Sequence, residues 1–171
     1  MKRVFTRFAL LALVAVLAVP TSTQAQGLKI GPQLGLSLDG TDLFVGLESQ
    51  FDLPIMENRE VWGNLGLDFY PFIKNTTLTS VNVDALFPFG IGNLQLYGGG
   101  GLLMQFATFD LPSGSTLDET DTDIALNVKA GMLLGDRGAG YRPFLELDQA
   151  IGAGSNLSVR VGIFMSVGGG Q

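Results

Sequence analysis

The stretch that decides the fold lies near the end of the chain, where residues 156–167 read NLSVRVGIFMSV. Apolar side chains occupy every second position from Leu157 to Val167. The positions between them hold mostly small or polar residues, with Arg160 near the centre. A period of two predicts a β-strand with two chemically different faces. The class of protein therefore depends on which of these faces points outward, toward water or lipid, and which points into the interior.

The same alternation recurs along the whole chain after residue 26. The connecting segments are rich in turn-forming residues, such as Asp39-Gly40 and the segment 138–140. Tilted strands of about 9–11 residues are the length that a transmembrane barrel requires. The pattern predicts strands over 28–38, 43–53, 61–70, 78–87, 94–107, 123–134, 141–151 and 156–167.

The two faces of these strands differ in a way that favours a membrane protein. One face is dense in Leu, Val and Ile, whereas the other combines isolated charges with many glycines. We therefore expect the polar face to line the lumen of an all-β, eight-stranded antiparallel up-and-down transmembrane β-barrel. A soluble barrel or sandwich is the alternative. Because such a barrel has little interior room, glycines on the inner face would make space for charged side chains at Gly35, Gly46, Gly66, Gly99, Gly101, Gly131 and Gly162.

The first 25 residues have the three parts of a secretory signal peptide. A positively charged start is followed by the apolar run 8–19 and then by small residues that end at Ala25. The apolar run is shorter than the roughly 20 residues that a membrane-spanning helix needs. We therefore expect a signal peptide at 1–25 and one outer-membrane barrel domain at 26–171.

Composition excludes several classes of function. The mature chain would carry 7 basic and 16 acidic residues, so nucleic acid is not an expected partner. The chain has no Cys and no His, which removes a disulfide framework, His-based triads and His-ligated zinc. It also lacks the commonest general base. We therefore expect no cofactor, no metal and no catalytic residue.

The charges on the inner face are predicted to meet near the middle of the barrel. Tight turns would place Lys129 opposite Glu146 and Asp148 opposite Arg160, with Glu48 reaching in from across the lumen. Charges in a narrow space of low dielectric constant need partners. These five residues are therefore predicted to form an ionic cluster that plugs the lumen. An ion path, a proton path or an acid–base site is the alternative.

One connection, residues 108–122, is strongly acidic and is expected on the outer side. It lacks the D-x-D-x-D-G order and the late Glu of an EF-hand loop. We expect a solvated acidic loop, and a divalent cation that bridges it to anionic lipid headgroups is the alternative. The acids, including one that follows the connection, are Asp110, Asp118, Glu119, Asp121 and Asp123.

Two segments add to the signal peptide, the alternating strands and the charged lumen: YRPFLELDQAIG at 141–152 and LQLYGGGGLLMQF at 94–106. On these features the chain resembles the small eight-stranded outer-membrane β-barrel family of Gram-negative bacteria, which includes outer membrane protein X and the transmembrane domain of outer membrane protein A. The resemblance implies a monomer among outer-membrane lipids, with a structural or surface-interaction role. A lipid-modifying barrel enzyme and a soluble periplasmic ligand-binding barrel are the alternatives.

The last strand also resembles the signal by which the barrel-assembly machinery recognises such proteins. That signal runs polar-x-Gly-x-x-hydrophobic-x-aromatic, and Arg160, Gly162 and Met165 fit its spacing. Val167 stands where the family has an aromatic residue. The resemblance implies the assembly machinery as a partner during biogenesis, with Val167 as a departure from its preferred sequence.

Overall fold

The computed structural model describes residues 27–55, 59–73, 76–91, 94–109, 120–152 and 155–167, so the predicted signal peptide lies outside the described part. The chain forms one closed antiparallel barrel, in which each strand pairs with its sequence neighbours and the last pairs with the first. The predicted fold class is confirmed. The eight strands are β1 (Lys29–Ser37), β2 (Leu43–Asp52), β3 (Trp62–Tyr70), β4 (Thr76–Ile91), β5 (Leu94–Phe109), β6 (Thr120–Leu133), β7 (Tyr141–Gly152) and β8 (Asn156–Ser166).

Within the described ranges, no helix is long and apolar enough to cross a membrane. We call the end where β1 begins and β8 finishes the terminal end of the barrel, and the opposite end the distal end. Strand β4 differs most from its predicted bounds, because it runs past Pro88 to Ile91. Its pairing with β3 stops at Leu86, so Pro88 lies where β4 has only β5 as a neighbour. Proline is tolerated at such an edge because no partner strand needs its missing N–H group.

The predicted registers of the hairpins are wrong by two residues. Lys129 lies opposite Asp148, not Glu146, and Glu146 lies opposite Arg160. A two-residue shift leaves every side chain on the same face, so the apolar pattern cannot detect it. In the first hairpin the turn is longer than expected because the chain after Ser37 leaves β2 and bonds to β8, where the backbone N–H of Leu38 donates to the carbonyl of Leu157.

The outward face is apolar, as the alternation predicts. Leu34, Leu126 and Leu147 are each at least half exposed, and similar residues cover the rest of the barrel wall. Every Asp, Glu, Lys and Arg of the described strands occupies the inward phase of its strand. The charged side chains that lie between the ends of the barrel therefore belong to its interior.

The interior is not polar throughout, which corrects the expectation of a polar lumen. A layer of large apolar side chains closes the terminal end, where the rings of Phe144 and Phe164 stack with centroids 4.5 Å apart. Near the distal end, Phe44 packs on Tyr70 with ring centroids 4.9 Å apart. The terminal layer consists of Trp62, Leu86, Tyr97, Leu133, Phe144 and Phe164.

Candidate functional site

Lys129 lies at the centre of the buried polar layer. Its ammonium donates hydrogen bonds to Glu48 Oε1 at 2.9 Å and to Asn64 Oδ1 at 3.0 Å. Asp84 Oδ2 lies 3.2 Å from the same nitrogen, and Glu146 Oε1 lies 3.3 Å from it. The Lys129 side chain is fully buried. One ammonium therefore holds carboxylates from three different strands, β2, β4 and β7.

Arg160 forms the second centre of positive charge, on β8. Its Nη1 lies 3.0 Å from Asp68 Oδ2, and its Nη2 lies 2.9 Å from Asp148 Oδ2. The Nε atom is 3.8 Å from Glu146 Oε1. On the distal side the guanidinium lies over the ring of Phe44, 5.1 Å from its centroid. Such a contact between a cation and an aromatic face adds to the electrostatic stabilisation of the arginine.

The structure brings all five residues of the predicted ionic cluster into one network. Two further acids belong to it, Asp68 and Asp84, which the sequence analysis did not select. Both lie at inward positions of their strands, and this inward phase was the signal in the sequence that could have identified them. We call Lys129 and Arg160, together with the five carboxyl groups around them, the lumen network; its acids are Glu48, Asp68, Asp84, Glu146 and Asp148.

Buried amides connect the charged groups, and sequence reasoning missed them as well. Asn64 donates to Glu48 Oε1 at 2.5 Å, and Asn82 donates to Asp84 Oδ2 at 2.8 Å. Asn127, on β6, is also buried in this layer. Hydrogen bonds from neutral donors help to stabilise ionised carboxylates away from water. The polar layer is thus a connected plug rather than a set of isolated ion pairs.

Glycines on the inner face let side chains meet across an intervening strand. Gly46 on β2 lies opposite Gln33 on β1 and opposite Asp68 on β3. Gln33 Nε2 reaches over it to donate to Asp68 Oδ1 at 2.7 Å. A β-carbon added at Gly46 would overlap the Asp68 carboxylate and lie 2.8 Å from the backbone carbonyl oxygen of Leu67, which is closer than such atoms approach. The predicted role of the inner-face glycines as space for charged side chains holds at Gly46, beside Asp68, but it is wrong at three positions that make space for aromatic rings instead: Gly35, Gly131 and Gly162.

The same arrangement recurs on β5. Gly101 lies opposite both Asp84 and Asn127, and Asn127 Nδ2 donates to Asp84 Oδ1 across it at 3.0 Å. A β-carbon at Gly101 would approach the backbone of Asp84 to 2.7 Å. Because Gly99 leaves similar space opposite Lys129, the lysine on β6 reaches Asp84 on β4 past the intervening strand.

The lumen network has more acids than bases. Its two cations face five carboxyl groups, all at most 4% exposed. Several buried oxygens in this layer have no hydrogen-bond donor, among them Glu48 Oε2, Glu146 Oε1 and Asn82 Oδ1. Among the residues that the structure describes, no group of three or more His, Cys, Asp or Glu could hold a metal ion.

The predicted bounds of the acidic connection, 108–122, are wrong at both ends, because β5 continues to Phe109 and β6 begins at Thr120. Asp121 and Asp123 lie at the distal end of β6, and Asp121 is exposed, with its carboxylate accepting a hydrogen bond from the backbone N–H of Thr122. Asp110, Asp118 and Glu119 lie outside the described residues. The described acids of this connection therefore stand apart from the lumen network.

Comparison with known proteins defines the fold further. No protein-family model matches the chain, and no curated protein matches it in sequence. The chain is similar to the N-terminal β-barrel domain of Pseudomonas aeruginosa OprF, with a TM-score of 0.62, 16% identity, and coverage of 81% of this chain and 95% of that domain. It is also similar to Ail, the attachment invasion locus protein of Yersinia pestis, with a TM-score of 0.57, 16% identity, and coverage of 81% and 93%.

A third similar structure is the outer membrane enzyme PagL, with a TM-score of 0.52, 10% identity, and coverage of 81% of this chain and 99% of that enzyme. At such low identities the similarity concerns the fold alone. The resemblance read from the sequence is confirmed at that level: the chain has the fold of the small eight-stranded outer-membrane barrels.

Proposed function

We propose that this protein is an integral β-barrel of the bacterial outer membrane, exported by a cleaved signal peptide, with a plugged lumen and a structural or surface-interaction role. The observation that carries the proposal is the separation of charge from apolar surface. All charged residues of the described strands occupy the inward phase, and the outward surface is built from Leu, Val, Ile and Phe. Lipid tolerates this arrangement, whereas water would not favour so large an apolar surface.

Exposed aromatic residues near both ends of the barrel support a membrane position. Phe87, Phe89 and Tyr141 lie toward the terminal end and are 45%, 53% and 69% exposed. Phe69 and Phe72 lie near the distal end and are 41% and 72% exposed. Outer-membrane barrels carry such aromatic girdles at the two membrane interfaces. The apolar band between these two sets is the part that we place in the hydrocarbon.

The packing of the lumen supports a plugged interior rather than a path for ions or protons. The polar layer is filled by hydrogen-bonded side chains, and the terminal layer below it contains Trp62 and Leu86, each at most 1% exposed. An eight-stranded barrel leaves room for side chains rather than for a water column. The ionic contacts would thus stabilise the closed interior and hold the strands in register.

A catalytic role is the main alternative, because the outer membrane enzyme PagL has the same fold. The non-catalytic proposal is supported by the lack of His and Cys in the whole sequence and by the engagement of the buried carboxylates with Lys129 and Arg160. The test is mass spectrometry of lipid A and phospholipids from cells with and without the protein. We expect identical lipid profiles, and a new acylation product would establish the enzyme instead.

Membrane fractionation tests the location directly. We expect the protein in the outer-membrane fraction, extractable only by detergent, with a gel mobility that changes on heating because the closed barrel resists unfolding by detergent. Release into buffer after osmotic shock would support the soluble periplasmic barrel instead.

We further propose that the protein is a monomer, since β1 and β8 pair and close the sheet. Its proposed partners are outer-membrane lipids and, transiently, the assembly machinery.

A further inference from the structure

The charge imbalance of the lumen network favours proton uptake by one of its acids, which would reduce the excess of negative charges from three to two. If all five carboxyl groups were ionised, the layer would carry three more negative than positive charges, and none of these groups is more than 4% exposed. An ionised carboxylate without compensation in such a place is very costly, and the usual outcome is that the group takes up a proton. Arg142 does not offset the excess, because it binds Gln95 and backbone carbonyls at the terminal end.

The carboxyl groups differ in how well they are paired. Glu48 and Asp84 lie 2.9 Å and 3.2 Å from the Lys129 ammonium, and Asp68 and Asp148 lie 3.0 Å and 2.9 Å from the guanidinium on β8. Each of these four acids also receives a hydrogen bond from a buried amide. They have the surroundings that ionised carboxylates need.

Glu146 is the exception. Its Oε1 atom lies 3.3 Å from Lys129 and 3.8 Å from Arg160 but forms no hydrogen bond. Its Oε2 atom accepts only the neutral hydroxyl of Tyr97, at 3.1 Å. Lysine has three donor hydrogens, and three acceptors, from Glu48, Asn64 and Asp84, lie closer to Lys129 than Glu146 does. Of the five acids, Glu146 is thus the one that is least well paired with the two cations.

We propose that Glu146 is a buried proton-binding site, held as a neutral carboxylic acid in the folded barrel at neutral pH. In the neutral acid the proton lies on Oε2 and is shared with the Tyr97 hydroxyl oxygen 3.1 Å away, while Oε1 is the carbonyl oxygen that faces the two cations. The groups that face Glu146 are Glu48 from β2, Tyr97 from β5, Lys129 from β6, Asp148 from its own strand and Arg160 from β8. The site goes beyond the proposed structural role, because it makes the charge of the lumen network depend on proton uptake.

Infrared spectroscopy tests this site, because a neutral carboxyl group and a carboxylate absorb at distinct frequencies. The full barrel is solubilised at pH 7 in a glucoside detergent, which has no ester carbonyl, and the carbonyl band of a neutral acid is recorded. We expect one such band, absent in Glu146→Gln and unchanged in Asp121→Asn, which removes an exposed acid. Absence of the band in the natural protein, or its persistence in Glu146→Gln, would overturn the proposal.

The unfolding of two variants in urea and the infrared band of a third variant test the proposal further. Because the amide mimics a neutral acid, Glu146→Gln should keep the urea midpoint of the natural barrel, whereas Glu48→Gln should lower it by weakening the pairing of Lys129. A Glu146→Gln variant that fails to insert, while Glu48→Gln inserts, counts against the proposal. In Tyr97→Phe the neutral-acid band should move to higher frequency, since the carboxyl group loses its hydrogen bond to the Tyr97 hydroxyl. An unmoved band would contradict the assignment.

Discussion

Tyr97 and Glu146 meet across Gly131, although β5 and β7 are not neighbours. Gly131 on β6 lies opposite both residues, and the Tyr97 hydroxyl donates to Glu146 Oε2 at 3.1 Å over the gap. The contacts across Gly46 and Gly101 have the same form. Inward glycines therefore do more than relieve crowding, since each allows side chains two strands apart to interact directly.

The first prediction concerns these glycines. A β-carbon at Gly131 would overlap the Tyr97 ring, with the ring atom Cε2 only 2.7 Å away, whereas nothing lies within 4 Å of a β-carbon at Gly138 in an exposed turn. Gly131→Ala should lower the free energy of unfolding by about 1–3 kcal/mol, the usual cost of overpacking, and Gly138→Ala should leave it unchanged. Urea unfolding from lipid vesicles measures both, and equal effects would contradict this role of the glycine.

The second prediction concerns the central cation. Lys129→Met would leave the carboxyl groups around it without their ammonium, and removal of one partner of a buried ion pair costs about 3–5 kcal/mol. Arg137→Met, in the exposed turn after β6, should change the free energy of unfolding by less than about 0.5 kcal/mol. Adding Glu48→Gln to Lys129→Met should restore part of the loss. Equal stability of the two single variants would show that the network contributes nothing.

The third prediction tests the orientation of the barrel wall. Leu147 faces outward at the depth of the lumen network, whereas Ile124 faces outward near the distal end. An arginine on the lipid face costs about 2–4 kcal/mol at the bilayer midplane and about 0–1 kcal/mol near the interface. Leu147→Arg should therefore destabilise the barrel in vesicles far more than Ile124→Arg does. Similar effects at both depths would contradict the membrane position.

These results also show how far the sequence alone determines the structure. The two-residue period placed Lys129 and Arg160 on the inner face, because side-chain direction in a strand follows directly from position. It could not determine which inward residue lies opposite which, since a shift by two keeps the face and only the turn geometry fixes the pairing. The contact between Asp68 and Arg160 was missed because β3 and β8 are not neighbours, and no local pattern reports contacts across the lumen.

The fourth prediction concerns conductance. In planar bilayers the purified barrel should show no stable open channel, because both the polar layer and the terminal apolar layer fill the lumen. Phe164→Ala removes one member of the terminal layer and should also remain closed, since the lumen network still blocks the path. Stable unitary currents from the natural protein would support the ion-path alternative for the charged residues.

The last prediction concerns assembly into the membrane. Val167 follows β8, faces outward with 45% of its surface exposed, and donates its backbone N–H to the carbonyl of Leu28, where the sheet closes. An aromatic residue at this outward position would match both the interfacial girdle and the assembly signal that the strand resembles. Val167→Phe should therefore raise the fraction of barrel with heat-modifiable mobility in cells, whereas Ser166→Phe, on the opposite phase, should not. Equal gains from the two substitutions would mean that added hydrophobicity, rather than recognition of this position, limits assembly.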